Sequence, residues 1–174
     1  DLKDGNFIHS INAGQPFYQY FQYLSHRSTT QYSAAEMEQY FHDQLHINSS
    51  LTTYRSIGIS QNAILTQSLL KDSGDSFLFY QDRYGANAMM MLSLAMNESA
   101  LGRSYLAYTR NNLFGHAAFD SAVEENASRY QSASASIRSH ALHYINEGYG
   151  DPDSFSWNGA YFGNKAGGMN VAYA

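Results

Sequence analysis

Asn87-Ala88-Met89-Met90-Met91-Leu92-Ser93-Leu94-Ala95-Met96-Asn97-Glu98-Ser99-Ala100-Leu101-Gly102-Arg103-Ser104 decides how this chain is read. From Ala88 to Met96 only Ser93 interrupts the apolar run, and Ala, Met and Leu are strong helix formers. A helix that is apolar all round belongs at the centre of a domain. The run is far shorter than the ~20 residues that a bilayer span requires. Gly102 supplies a C-terminal stop. Glu98 then stands at the end of a buried helix. Apolar surroundings and the negative end of the helix macrodipole both favour a protonated carboxyl there. Glycosidic cleavage needs such an acid, because the leaving oxygen must be protonated. The same residue also reads as a solvated glutamate at a helix end, and spacing alone does not choose between the two.

Outward from this segment the chain reads as helical. Ser33-Ala34-Ala35-Glu36 is a capping box and predicts a helix to about His46. Ser60 predicts a second helix to about Asp72, with Ile64, Leu65 and Leu69 spaced for one buried face. Further helices are predicted over about 76–84, ending at Gly85, over 105–110, and over 128–146, ending at Gly148. Residues 111–126 read as loop or small hairpin, and the glycine-rich 149–174 as ordered loop. The first thirty residues are rich in rings (Phe7, Phe17, Tyr18, Tyr20, Phe21, Tyr23) and read as an extended segment lying on the domain, since disordered tails are poor in aromatics.

Composition limits the chemistry. The 174 residues fit one domain, and a chain of this length buries about 70% of its unfolded surface. The absence of cysteine excludes disulfide frameworks, thiolate metal sites and cysteine nucleophiles. A net charge of -5 argues against nucleic acid or an anionic membrane as partner. Aromatic residues (15%) outnumber charged ones (14%), which suits stacking on neutral polar polymers, sugars above all, although many of these rings must also be core. His42 with His46, and His140 with His143, share helix faces but lack an acidic third ligand, so no metal is expected. Gly163-Asn164-Lys165 lacks the rest of a phosphate-binding loop, and no Gly-x-Ser-x-Gly elbow occurs. The chain opens at Asp1 without an initiator Met or signal peptide, which suggests a mature form or an excised fragment.

Leu94 to Ser104 resembles the catalytic motif of the glucosaminidases of glycoside hydrolase family 73, lysozyme-like bacterial enzymes acting on peptidoglycan, in which an apolar helix leads into Glu-Ser/Thr-Gly-x-Gly-x-Ser. Asn111-Asn112-Leu113-Phe114-Gly115 resembles the motif that follows in the family, and His116-Ala117-Ala118-Phe119-Asp120 is similar to the Ile-Ala-Ala-Tyr-Asp of its autolysin branch. Gly163 to Ala174 is similar to the segment leading into Tyr-Ala-Ser/Thr-Asp-Pro, and Phe21 to Ser28 to an element upstream of the core. Two departures flank the glutamate. Ala100 stands where the family has Gly, and Leu101 replaces an aromatic or polar residue, so both are expected to narrow the cleft.

The resemblance implies an α+β, mostly α, lysozyme-like domain with a small irregular or β-hairpin lobe and a substrate groove between them. Residues 57–174 form the core of a single catalytic domain 1–174, with 1–56 packed on it and the last motif truncated at Ala174. Glu98 matches the family's general acid. Asp120 fits the second carboxylate best, with Glu124 and Glu125 as alternatives, and Tyr173 matches a tyrosine near the scissile bond. Phe114 and Gly115 shape the groove wall, while Trp157 and Tyr161 are candidates for sugar stacking or for packing. The implied activity is hydrolysis of the GlcNAc-β-1,4-MurNAc bond of peptidoglycan glycan strands without metal or cofactor. The implied enzyme is a secreted or wall-associated monomer whose full-length protein carries wall-binding modules. Alternatives on the same fold are a lytic transglycosylase or a muramidase, and outside catalysis a wall-binding module.

Overall fold

The computed structural model describes residues 25–47, 68–117 and 127–156. Helix α1 is Ala34–Ile47, α2 is Gly74–Tyr84, α3 is Ala88–Glu98 and α4 is Tyr105–Arg110. Helix α5, Ala133–Ser139, runs directly into a π-helical segment, His140–Tyr149. Among the described residues there is no β-strand, so the part of the domain seen here is helical. Of the loop or small hairpin expected over 111–126, the described part 111–117 is loop; residues 118–126 lie outside the described residues.

The helix starts follow local chemistry. The capping box forms at α1: the Ser33 backbone N–H donates to Glu36 Oε2 (2.8 Å), and the Glu36 N–H donates to Ser33 Oγ (3.3 Å). Ser73 makes no side-chain cap on α2. Glu38 of α1 replaces it, accepting from the N–H groups of Asp72 (3.0 Å) and Gly74 (2.6 Å), a carboxylate set against a positive helix end. Asn87 caps α3 by accepting from the Met90 N–H (2.9 Å), and Ser104 caps α4 by accepting from the Ala107 N–H (3.1 Å). Helix α2 stops at Gly85, which takes φ 69°.

Helix α2 is the hub, packed against α1, α3, α5 and the π-helical segment. The core gathers Met37, Phe41 and Leu45 of α1, Phe77 of α2, Met91, Leu92 and Ala95 of α3, and Ile137, Ala141 and Ile145. The apolar helix is indeed central: Ala88, Met91, Leu92, Leu94, Ala95 and Met96 are buried, and Ser93 marks its narrow exposed side. A strap before α1 ties the α2–α3 junction. The Asn87 N–H donates to the His26 carbonyl (2.9 Å), and Gln81 Oε1 accepts from the N–H groups of Thr30 (2.8 Å) and Ala88 (2.9 Å). No described helix is long and apolar enough to cross a membrane.

Two helices depart from the pattern-based reading. The helix predicted from 128 begins only at Ala133, because the backbone before it is committed across the chain. The Ser128 N–H donates to the His116 carbonyl (3.0 Å) and the Tyr130 N–H to that of Arg110 (2.8 Å). Of the helix predicted over 60–72, the described part 68–72 is a turn, closed by Lys71 N–H to Ser68 O (3.1 Å); residues 60–67 lie outside the described residues.

Past Glu98 the chain makes a tight turn in which Ala100, Leu101 and Gly102 all have positive φ (49°, 62° and 72°). Ser99 organises it, its carbonyl accepting from Arg103 (2.9 Å) and Ser104 (2.8 Å) and its hydroxyl from the Gly102 N–H (2.7 Å). A Cβ on Gly102 would stand 2.5 Å from Ser68 Oγ and 2.8 Å from the Leu70 backbone nitrogen. Left-handed strain of ~1–2 kcal/mol and overpacking of ~1–3 kcal/mol therefore combine in Gly102→Ala. A urea-unfolding comparison should show a loss of about 2–5 kcal/mol. A variant as stable as the parent would contradict this geometry.

Candidate active site

Glu98 is the last residue of α3, and its side chain is exposed. A helix end lets a side chain leave the core even when the helix itself is sunk in it. The apolar enclosure expected from the sequence is therefore not what surrounds this carboxylate. It lies over Gly115: a Cβ built on that glycine, whose φ is 65°, would be 3.6 Å from Glu98 Oε2. The two motifs thus meet, the end of the buried helix against the backbone of the 111–115 segment.

Asn112, buried, shapes that segment. Its Oδ1 accepts from the N–H groups of Phe114 (3.3 Å) and His116 (3.1 Å), and its Nδ2 donates to the carbonyls of His116 (2.9 Å) and Ser128 (3.2 Å). Leu113 donates its N–H to Ser136 Oγ of α5 (3.2 Å). Phe114 is buried, with its ring 3.9 Å from that of His140 and nearly parallel to it (3°). It therefore backs Gly115 from the core side.

Sequence reasoning missed what lies behind this segment. His26, His116 and His140 are all buried. His116 Nε2 is 3.1 Å from His140 Nδ1, its Nδ1 is 2.6 Å from the Tyr130 hydroxyl, and its ring stacks on Tyr144 at 3.8 Å. Burial pushes His116 down to about 3 and His26 down to about 4. His140 is held well below its ordinary value by burial and by the neighbouring His116 and His26. The available signal was His140 itself, which shares the inward face of Ile137 and Ala141. A lone histidine at an apolar spacing does not reveal its partners 24 residues away.

The two departures beside the glutamate resolve differently. Leu101 is buried in the core cluster and cannot narrow a groove, which corrects the expectation for that residue. Ala100 is half-buried at φ 49°, a conformation in which glycine carries no penalty. Ala100→Gly removes ~1–2 kcal/mol of left-handed strain and adds ~0.5–1 kcal/mol of unfolded-state entropy. The net gain should be about 0.5–1 kcal/mol, read from thermal unfolding. A destabilised glycine variant would mean that this turn is not left-handed at residue 100.

Asp120, Glu124, Glu125, Trp157, Tyr161 and Tyr173 lie outside the described residues. The segment that carries the first three is bracketed by His116 and Ser128, which hydrogen-bond to each other, and Arg110 Nη1 donates to the Ala127 carbonyl (2.7 Å). The described residues on either side of it, His116 and Ser128, are therefore held together next to Gly115 in the chain. Among the described residues no group of three His, Asp or Glu side chains could hold a metal ion.

Comparison with known proteins gives the family. The family described as Glucosaminidase, mannosyl-glycoprotein endo-beta-N-acetylglucosaminidase, matches residues 74–173. Two proteins of Streptococcus pneumoniae, from the serotype 4 strain TIGR4 and from strain R6, are assigned as endo-beta-N-acetylglucosaminidases. Each is 32% identical over 145 residues, 83% of this chain. The chain spans only 18% and 17% of their lengths. A crystal structure of a catalytic mutant of Staphylococcus aureus autolysin E in complex with the disaccharide NAG-NAM has a similar fold, with TM-score 0.53 and 21% identity over 77% of this chain and 55% of that one. The same autolysin in complex with the muropeptide NAM-L-Ala-D-iGlu aligns with TM-score 0.50 and 23% identity over 74% of this chain and 53% of that one.

Proposed function

The chain belongs to the glucosaminidase family, and from that footing we propose that it is an endo-β-N-acetylglucosaminidase of bacterial peptidoglycan, cleaving the GlcNAc-β-1,4-MurNAc bond with Glu98 as general acid. The observation that carries this reading is the meeting of the two motifs, the Glu98 carboxylate over the Gly115 backbone at the exposed end of the central helix. Glycan strands lie in a groove along that end. Glu98 passes its proton to the bridging oxygen as the C1–O bond breaks, and the leaving sugar departs neutral. Charge then develops on the anomeric carbon. In one route Asp120, or Glu124 or Glu125 on the same segment, draws a proton from a water that attacks from the opposite face, across a carboxylate gap of ~6.5–9.5 Å. In the other the 2-acetamido oxygen of the substrate attacks first, a carboxylate or Tyr173 steadies the intermediate, and water then opens it. Trp157 and Tyr161 offer rings for sugar stacking. Such an enzyme works outside the cell or in the wall. The catalytic domain acts as a monomer, with wall-binding modules supplied elsewhere in a longer protein.

Mass spectrometry of digested peptidoglycan tests the bond. Fragments ending in reducing GlcNAc are expected. Reducing MurNAc would make the chain a muramidase, anhydro-MurNAc a lytic transglycosylase, and no product a wall-binding module. Asp120→Asn separates the two hydrolytic routes: at least about a tenfold loss supports the activated water. Unchanged turnover of the Asp120, Glu124 and Glu125 variants, singly and combined, supports the acetamido route.

A further inference from the structure

Gly115 has no side chain with which to hold its place, and at φ 65° its position is set by its neighbours in sequence. Both neighbours are anchored on the same element. Phe114 lies on His140, and His116 lies on Tyr144, one turn further along the π-helical segment (3.8 Å, 6°). The imidazoles of His116 and His140 are joined edge to edge (3.1 Å), and Tyr130 closes the row at His116 Nδ1 (2.6 Å). The backbone of His116 is tied as well, its N–H to Asn112 and its carbonyl to Asn112 and Ser128.

We propose that the Tyr130–His116–His140 row is a positioning device that fixes Gly115 beneath the Glu98 carboxylate and so sets where the acid stands relative to the scissile oxygen. This rests on the reading of Glu98 as the acid. The donor count closes in either direction. Tyr130 O–H donates to His116 Nδ1 while His116 Nε2–H donates to His140 Nδ1, or both bonds run the other way. In both cases each imidazole carries a single ring N–H, as two neutral rings require; in the first arrangement His140 keeps its N–H on Nε2, outside the row. A hydrophobic residue at 116 would fill the space but anchor nothing, whereas the row ties the wall to the helix behind it through directional bonds in a buried place, where such bonds are strongest. Winding of the π type departs from the regular helix and recurs at functional sites, and here it carries both ring platforms. The three residues touch no substrate in this scheme. Their effect reaches the reaction through Gly115 and Glu98.

Steady-state hydrolysis of soluble, uncrosslinked glycan strands tests the proposal, with folding of each variant checked by thermal melt. His140→Phe keeps a ring against Phe114 and removes the link to His116. Because a misplacement of about 1 Å costs on the order of 10²-fold in rate, kcat should fall by about tenfold or more while KM stays within about twofold. His140→Asn places a hydrogen-bonding group near the Nδ1 position and should restore kcat to within about threefold of the parent. Tyr130→Phe deletes one hydroxyl from a half-buried ring, and kcat should fall about threefold or more at constant KM; it decides the matter if His140→Phe does not fold. Parental kcat in the folded variants, a loss confined to KM, or an asparagine variant as slow as the phenylalanine one would each overturn the proposal. Glu98→Gln runs alongside. If it keeps parental kcat, the acid assignment fails and the positioning role with it. If it is inactive while Tyr130→Phe and His140→Phe are normal, the positioning role alone fails.

Discussion

Glu98→Gln should abolish wall lysis and leave the protein folded. The amide matches the carboxyl in size but has no proton to give the bridging oxygen. General acid catalysis contributes about 10²–10⁴-fold, and a sugar alkoxide is a poor leaving group, so the loss should lie at the upper end of that range. The fold should tolerate the change, because the side chain is exposed and no described residue bonds its carboxylate. Exposed substitutions away from such partners usually shift stability by no more than about 0.5 kcal/mol. Clearance of a cell-wall suspension, with a melting curve on the same sample, measures both halves. Lytic activity within about threefold of the parent would remove Glu98 from the mechanism, since no general-acid role is that small.

Acid should weaken the fold well before carboxylates begin to protonate. His116 is held at about 3 and His26 at about 4, and His140 is held well below its ordinary value, chiefly by burial. Among the groups that face them are one another, the phenols of Tyr130 and Tyr144, and the ring of Phe114. The unfolded chain takes up these protons near the ordinary histidine value of 6.5, whereas the folded one does not. Between the two values the unfolded state binds more protons, so stability is complete above about pH 6.5 and falls as pH drops toward the folded values. Each unit of lowering is worth about 1.4 kcal/mol per group, so three groups together amount to a large share of a domain's stability. The shifted carboxyl of Glu36, lowered by its bonds to Ser33, withdraws its contribution only below its ordinary 4.5. The window from pH 6.5 to 5 therefore belongs to the histidines. Urea unfolding at several pH values should show the free energy falling steadily across it. A flat profile down to pH 5 would mean that these rings are hydrated in solution.

The fold was readable where one local signal decides an element. The Ala88–Met96 run, the Ser33–Glu36 box and Gly85 each placed a helix or its end within a residue or two, because caps and apolar runs act on their own neighbours. Residues 128–132 read as helix because nothing local shows that Tyr130 and Ser128 spend their N–H groups on Arg110 and His116. Glu98 and Gly115 belong to two separate motifs, and only the folded chain brings the Glu98 carboxylate to 3.6 Å from where a Cβ on Gly115 would stand. The histidine row was invisible for the same reason. His116 and His140 sit on different elements, and their hydrogen bond is a product of the tertiary packing. Leu101 reads as a cleft residue because it is close to Glu98 in sequence, but three successive positive φ values turn it back into the core.

The most direct test of the account is a crystal structure of the Glu98→Gln protein with an oligosaccharide containing the GlcNAc-β-1,4-MurNAc linkage. The account predicts a strand bound across the end of α3, with GlcNAc on the non-reducing side and the bridging oxygen about 2.6–3.2 Å from the residue 98 side chain. A strand bound away from Gly115, or one that presents the MurNAc-β-1,4-GlcNAc linkage to residue 98, would contradict it.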